Sequence, residues 1–427
     1  MTLPAHLPVL LGDLVLIIAV ARLLGAAATR LDQPAVIGEI VGGILLGPTL
    51  LGHYSSTVFS AAVRPTLSDV ANVGVCVFMF GIGVELDHRL LRGQARTAAT
   101  VALGAIAVPF GFGVLLALYL VRHHPTTHHA GFVLFMGTAM SVTAFPVLAR
   151  ILTDKKLLRT PIGGLAMACA AFGDVLAWTL LVISVALARA DGHPWRLLWV
   201  VPYLAVMVGV VRPGAARYAR RHDGTGQGVT RPANLLVLAA VAVGLAASAV
   251  ATDRMGLHQI FGAFLFGVVL PREGVAAVRE RALPWITKVS ALLLLPVFFI
   301  VAGFKVDLRH LDGTDVGELA LILLVAIGGK LLGGFGAARA LGVSRRHSAV
   351  LAVLLDTRGL TELIALSVGV QAGVLDARLN ALMVVMAVVT TTLTGVLLRR
   401  VYPPERVRLD AERARADHPR IRQEPTP

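Results

Sequence analysis

One aspartate stands alone near the middle of an apolar run: Asp174, thirteen residues from one end of 161–189 and fifteen from the other. Its neighbours Ala170, Ala171, Gly173 and Ala177 are small enough to let another helix come close. An ionisable group at bilayer depth costs about 2.5–3.5 kcal/mol on insertion scales, and it reads as functional by default. A lone carboxyl there suits binding of either a proton or a monovalent cation; the plainer reading is a protonated structural aspartate.

Two other apolar runs are interrupted by polar residues. GTAMSVTAFPVLARIL (137–152) carries hydroxyls at Thr138, Ser141 and Thr143 and then Pro146, which removes a backbone donor and crowds the preceding turn. LLDTRGLTELIALSVG (354–369) places Asp356, Arg358, Gly359, Thr361 and Glu362 in an otherwise greasy segment. Irregular backbone at membrane depth persists only where it is buried in protein or lines a cavity, and two such segments in corresponding halves point to a binding site. For Pro146 alone a simple kink would suffice.

Arg358 and Glu362 are four apart, on one helical face, and can pair. Lys330, in GGKLLGG, has three candidate tasks: neutralising Asp174, neutralising Glu362, or holding its helix against a broken one. Glu39 sits among glycines and either supports packing or lines an ion path. His123, His124, His128 and His129 cluster in RHHPTTHH, where metal binding and pH sensing compete with a solvated turn, the reading preferred here. Cys76 and Cys169 lie in apolar runs, where thiols pack as small hydrophobes. Trp178 is expected to be a packing residue.

The elements that must position these residues follow from composition. The chain has 427 residues, 56% hydrophobic and 15% charged, with mean hydropathy +0.78; a soluble domain carries about 25% charged residues. That excludes an ordinary soluble enzyme, a disulfide-stapled fold, a disordered chain and a β-barrel. The net charge of +14 does not indicate nucleic acid, because the basic residues lie in the joints between apolar runs.

About 20 apolar residues cross a bilayer as a helix. Thirteen runs qualify, at 7–29, 35–52, 68–86, 97–121, 130–152, 161–189 and 195–211, then 232–252, 256–271, 283–304, 316–342, 347–372 and 378–400. The expectation is therefore an all-α membrane protein of thirteen transmembrane helices. MTLPAHLP, ahead of the first run, lacks the Lys or Arg of a signal peptide. Lys and Arg concentrate in alternate joints, which puts the N-terminus outside and the C-terminus in the cytoplasm. The basic tail, 401–427, reads as disordered and too short for a nucleotide-binding regulatory domain.

VFMFGIGVELDHRLLRG (77–93) aligns with VFFIVAGFKVDLRHLDG (297–313) at a constant offset of 220, and a weaker match pairs Gly38 and Gly43 with Gly262 and Gly267. The third and tenth runs correspond, and they end on opposite sides. The expected layout is a transmembrane domain over 1–400, with a first six-helix repeat at 1–189, a connector at 190–231 and an inverted second repeat at 232–400. Inverted repeats with broken helices near the midplane are the architecture of alternating-access transporters.

At this point the segments IGEIVGGILLGPTLLG, FMFGIGVELD, SVTAFPVLARIL, GDVLAW, LPVFFIVAGFKVDL and TRGLTELIALSVG resemble, in order and from about residue 10 to 400, the monovalent cation:proton antiporter-2 family. The nearest branches are the Kef-like and plant cation/proton exchangers. The resemblance implies a sodium/proton-antiporter-like fold with two crossed broken helices. It also implies a homodimer with a dimerisation domain, and a mobile core carrying the fifth, sixth, twelfth and thirteenth helices. Family members exchange sodium or potassium for protons by an elevator-like movement.

In that resemblance Asp174 matches the ion-binding aspartate and Thr143 a coordinating hydroxyl. Lys330 matches the basic residue before the second broken helix, to which Arg358 and Glu362 belong. Gly173 departs from the pattern, since the family has Asp, Asn or Gln there. With one titratable site, one proton per cation and electroneutral exchange are expected. No resident cofactor is implied, only transported K+ or Na+ and protons, with a tilt towards potassium. No phosphate-binding loop occurs, so gradients rather than ATP would drive transport. The expected partners are membrane lipid and a second copy of the chain, with no nucleic acid, in the inner (plasma) membrane. Rival readings fit less well. AFGD (171–174) only loosely resembles an intramembrane aspartyl protease signature, whose chemistry needs two aspartates sharing a proton. A passive monovalent-cation channel is the alternative, since polar broken helices can also line pores; the inverted repeat and the single central carboxylate favour an exchanger.

Overall fold

The structure, a computed structural model, describes residues 7–52, 63–85, 95–124, 128–155, 160–188, 199–223, 231–255, 258–270, 288–309 and 312–403, with 54, 55, 59, 126, 157, 285, 405 and 406 as single positions. Among them there is no strand, and each of the thirteen apolar runs carries helix. The first half comprises α1 (Leu7–Arg30), α2 (Ala35–Leu46), α3 (Arg64–Glu85), α4 (Ala95–Leu120), α5 (His129–Ser141), α6 (Phe145–Asp154) and α7 (Pro161–Ala188). Then α8 (Val200–Val206) continues through a wider π turn, Met207–Val211, into Arg212–Asp223. The second half comprises α9 (Arg231–Arg254), α10 (Gln259–Val269), α11 (Leu295–Phe304), α12 (Gly313–Ala340), α13 (Arg345–Leu355), α14 (Leu360–Gln371) and α15 (Ala377–Val401).

Among the described residues, six stretches are long and apolar enough to cross a membrane unaided: Pro8–Arg30, Arg96–Leu120, Pro161–Ala188, Val200–Arg217, Gly313–Ala340 and Ala377–Val401. Large apolar side chains such as Val15, Leu115 and Leu324 are largely exposed, as befits a surface whose solvent is lipid. The chain is a multi-pass integral membrane protein.

It divides into two compact units that each draw on both halves of the sequence. One gathers residues 1–23, 42–87 and 185–305, the other 24–41, 88–184 and 306–427. In the first unit, α3 meets α10 where a Cβ on Gly83 would lie 2.3 Å from the Phe264 carbonyl and one on Gly267 2.3 Å from that of Phe80. Its α2–α11 contact is built alike, with a Cβ on Gly43 falling 2.3 Å from the Ile300 carbonyl. The glycines of the sequence repeat thus do the same work twice, letting paired helices touch backbone to backbone.

The second unit contains Asp174, Lys330 and both interrupted runs. Here α4 and α12 pack through small residues: a Cβ on Gly333 would sit 2.4 Å from the Gly104 carbonyl. That close approach fixes α12, and with it Lys330. The Asp87–Gly93 part of the repeat match, the joint 189–198 and the tail beyond Arg406 lie outside the described residues.

Candidate functional site

Both interrupted runs are broken outright. The chain leaves α5 at Ser141, runs non-helically through Val142–Ala144 and restarts as α6 at Phe145. Pro146 therefore kinks no continuous helix. It is the second residue of α6, within the first turn, where its missing N–H would have no intrahelical partner. The second break, 356–359, separates α13 from α14 and turns on Gly359, whose φ of +146° strongly favours glycine.

A helix ends with unsatisfied carbonyls and a partial negative charge. At the end of α5 these are met by the protein's own cations. Arg358 donates to the carbonyls of Ala139 (2.7 Å) and Met140 (2.6 Å). Lys330 donates to the carbonyl of Ser141 (2.5 Å) and to Thr143 Oγ1 (2.7 Å). Thr143 in turn donates to the Leu355 carbonyl (2.8 Å), and the Ala144 amide to that of Thr357 (2.8 Å). The two breaks are thereby sewn together.

Arg358 also pairs with Glu362 at 2.8 Å, both fully buried. Thr391 of α15 braces the same residue, donating to the Arg358 carbonyl (2.8 Å) and accepting from its amide (3.2 Å). Of the three tasks open to Lys330, the structure shows the third: it holds α12 against the broken helix and makes no ion pair among the described residues. Thr138 bonds the Leu134 carbonyl (2.7 Å), and the Ser141 hydroxyl bonds that of Thr138 (2.8 Å).

Asp174, on α7 of the same unit, lies beside the breaks. Its side chain and that of Thr361 line a small cavity walled by Val142, Ala177, Leu181 and Ala365, with Trp178 completing it. The space open to the centre of a water-sized sphere is about 10 Å³, roughly that needed for one water. The Asp174 carboxylate has no hydrogen-bond partner among the described residues, and Thr361 Oγ1 is buried without one. Thr143 and Lys330 are not among the cavity's lining residues, nor is Glu39, half-buried on α2.

One contributor escaped the sequence reading of the site, and a second was named there without a role. Thr391 gives no local signal, because its task depends on the fold. Asp356, the C-cap of α13, is buried with one carboxylate oxygen unpartnered among the described residues; its place in the polar run was the available clue.

One member of the histidine cluster departs from the solvated turn expected. His124 is buried, with Nδ1 2.6 Å from Asp376 and Nε2 2.9 Å from Glu318, while His123 lies 3.1 Å from the other Glu318 oxygen. Both nitrogens of His124 can donate only when the ring is charged. Burial lowers its pKa, but the hydrogen bonds from Asp376 and Glu318 outweigh that and hold it above the ordinary value. Burial likewise raises Asp376, and its bonds with His124 and the Leu379 amide bring it below the usual carboxylate range. Asp376 caps α15, and Arg378 grips the Asp312/Asp315 capping box of α12. The ends of three helices are clasped by charge.

An apolar helical chain with two breaks sewn together, and a lone carboxylate lining a cavity beside them, has the architecture of a secondary transporter. Residues 15–402 match the family described as sodium/hydrogen exchanger, transmembrane, and the chain belongs to that family. It is 40% identical over 420 residues to Cation/H(+) antiporter 20 of Arabidopsis thaliana, a match covering 93% of this chain and 49% of that protein. It is 38% identical to the Na(+)/H(+) antiporter NhaS4 of Synechocystis sp., covering 92% of this chain and 97% of the relative. The chain thus spans about half the length of the plant relative and nearly all of the cyanobacterial one. The solved structure of the sodium proton antiporter MjNhaP1 from Methanocaldococcus jannaschii has the same fold, with TM-score 0.63 at 16% identity over 94% of this chain and 98% of that one.

Proposed function

We propose that the chain exchanges a monovalent cation, K+ or Na+, for a proton across the plasma membrane, with Asp174 holding one or the other. The observation that carries this reading is the Asp174 carboxylate lining a cavity for one small occupant, without a hydrogen-bond partner among the described residues. An empty charged site is costly to carry through the apolar midplane, so the core changes access only when loaded.

Formal charge supports one-for-one exchange. Of the fully described buried charges at the breaks, Lys330 and Arg358 offset Asp356 and Glu362, which leaves Asp174 to be neutralised by a single proton or cation. Gly173 supplies no second carboxylate, although a Cβ there would meet only Ile106, at 3.8 Å. The names of the two relatives, a cation/H(+) and a Na(+)/H(+) antiporter, agree with this reading.

The test is proton movement in proteoliposomes holding a pH dye, driven in turn by potassium, sodium and lithium gradients. Proton flux should follow at least one cation without net current and vanish in Asp174→Asn. Folded protein that moves no protons, or that passes cation current, would overturn the reading in favour of a different solute or a channel.

A further inference from the structure

The geometry points to Thr361 as a cation ligand of the Asp174 cavity, and the residue that sets which cation fits. This rests on the exchanger reading above and deepens it.

A threonine within a helix normally gives its hydroxyl to the carbonyl four residues earlier. Thr138, Thr179, Thr390, Thr392 and Thr394 all do so here, at 2.7–3.1 Å. Thr361 does not, because it is the second residue of α14 and the helix stops behind it at Gly359. The carbonyl four residues back, on Thr357, accepts from the Ala144 amide, and the one three back, on Arg358, accepts from Thr391. The Thr361 hydroxyl is left buried and unpartnered, an arrangement that costs about 1–3 kcal/mol unless something fills it.

What would fill it is set by the cavity. Its side-chain oxygens belong to Asp174 and Thr361; the other lining groups are apolar or, in Trp178, a donor only. With room for about one water, the cavity accepts a cation only after most of its hydration shell is shed. The lost oxygens must be replaced by the protein, and the carboxylate alone cannot do that. A neutral hydroxyl oxygen supplies the second ligand without altering the site's charge. A proton on Asp174 needs no such ligand, so Thr361 acts on the cation half of the exchange.

The experiment measures exchange in proteoliposomes for the native chain, Thr361→Val, which keeps the shape, and Thr361→Ser, which keeps the hydroxyl. Thr361→Ala serves as the second hydroxyl-free form should the valine protein not be recovered. Loss of the hydroxyl should raise the cation KM about tenfold, change the ratio of KM values among lithium, sodium and potassium, and leave the maximal rate within about twofold. Serine should restore both KM and ratio. Unchanged KM values and ratios without the hydroxyl, or a defect that serine shares, would overturn the assignment while the exchanger reading stands. Absence of exchange in the native chain would instead remove the reading itself, and the assignment with it.

Discussion

The two helix breaks occupy corresponding places in the two halves of the chain but are made of different chemistry. The first, 142–144, is apolar except for one hydroxyl, and what it offers is backbone: the carbonyls of Ala139, Met140 and Ser141 at the end of α5. The second holds Asp356, Arg358 and Gly359, with Glu362 one turn on, and offers side chains. The end of α5 accepts from Arg358 of the second break and from Lys330 of α12, while Thr143 and Ala144 donate back to the Leu355 and Thr357 carbonyls. A repeated backbone therefore does not imply a repeated charge pattern. Carbonyls at the end of a half-helix often coordinate a transported cation, but here they are occupied by the protein's own cations.

The sharpest way to break that complementarity is Arg358→Met. It strands Glu362 and two carbonyls in the core, and removing one partner of a buried pair costs about 3–5 kcal/mol. Thermal unfolding in detergent should show the largest loss of any single substitution at the breaks. Next comes Lys330→Met, which orphans the Ser141 carbonyl and one lone pair of Thr143 and should cost about 2–3 kcal/mol in the same assay. An order in which Lys330 outweighs Arg358 would mean that the second break does not organise the first.

Gly359→Ala isolates the backbone of the second break. Its positive φ and the approach of a Cβ to within 2.9 Å of a Val147 methyl should cost about 1–3 kcal/mol. An Ala144→Gly change at the first break, which uses no left-handed residue, should cost less than that in parallel melts.

The smallest effect belongs to the charged clasp at the helix ends, whose contribution depends on pH. His124 has a raised pKa in the folded protein, so its contribution is full below the ordinary histidine value and fades as pH rises through the folded one. The melting temperature of the native chain should fall across that window, and His124→Gln should flatten the fall. An unchanged slope in the variant would assign the pH dependence to other groups.

Much of this was legible in the sequence for one reason: in lipid, apolar length dictates helix, and a cluster of hydroxyl, charged, Gly or Pro residues within an apolar run marks a break. The helices, both breaks and the pairing of Arg358 with Glu362 follow from spacing alone. The partner of Lys330 did not, because it lies 189 residues away on a backbone carbonyl, and spacing along one helix carries no information about that. His124 was misjudged because burial of a loop residue depends on which acidic helix ends reach it. Thr361 was recognisable in principle. A hydroxyl two positions after a helix-breaking glycine has no turn behind it to bond, but its cavity appears only in three dimensions.

The stitching of the breaks also sets when the site can come into being. The carbonyls of Ala139, Met140 and Ser141 are translated and inserted long before their donors, which follow 219, 218 and 189 residues later. Until Arg358 arrives, the end of α5 sits in the bilayer with its polar backbone unanswered. The first half of the chain thus waits on the second, and the stitched breaks are among the last parts to mature during biosynthesis. A chain truncated before Arg358 would carry most of its helices and still lack the donor to the Ala139 and Met140 carbonyls.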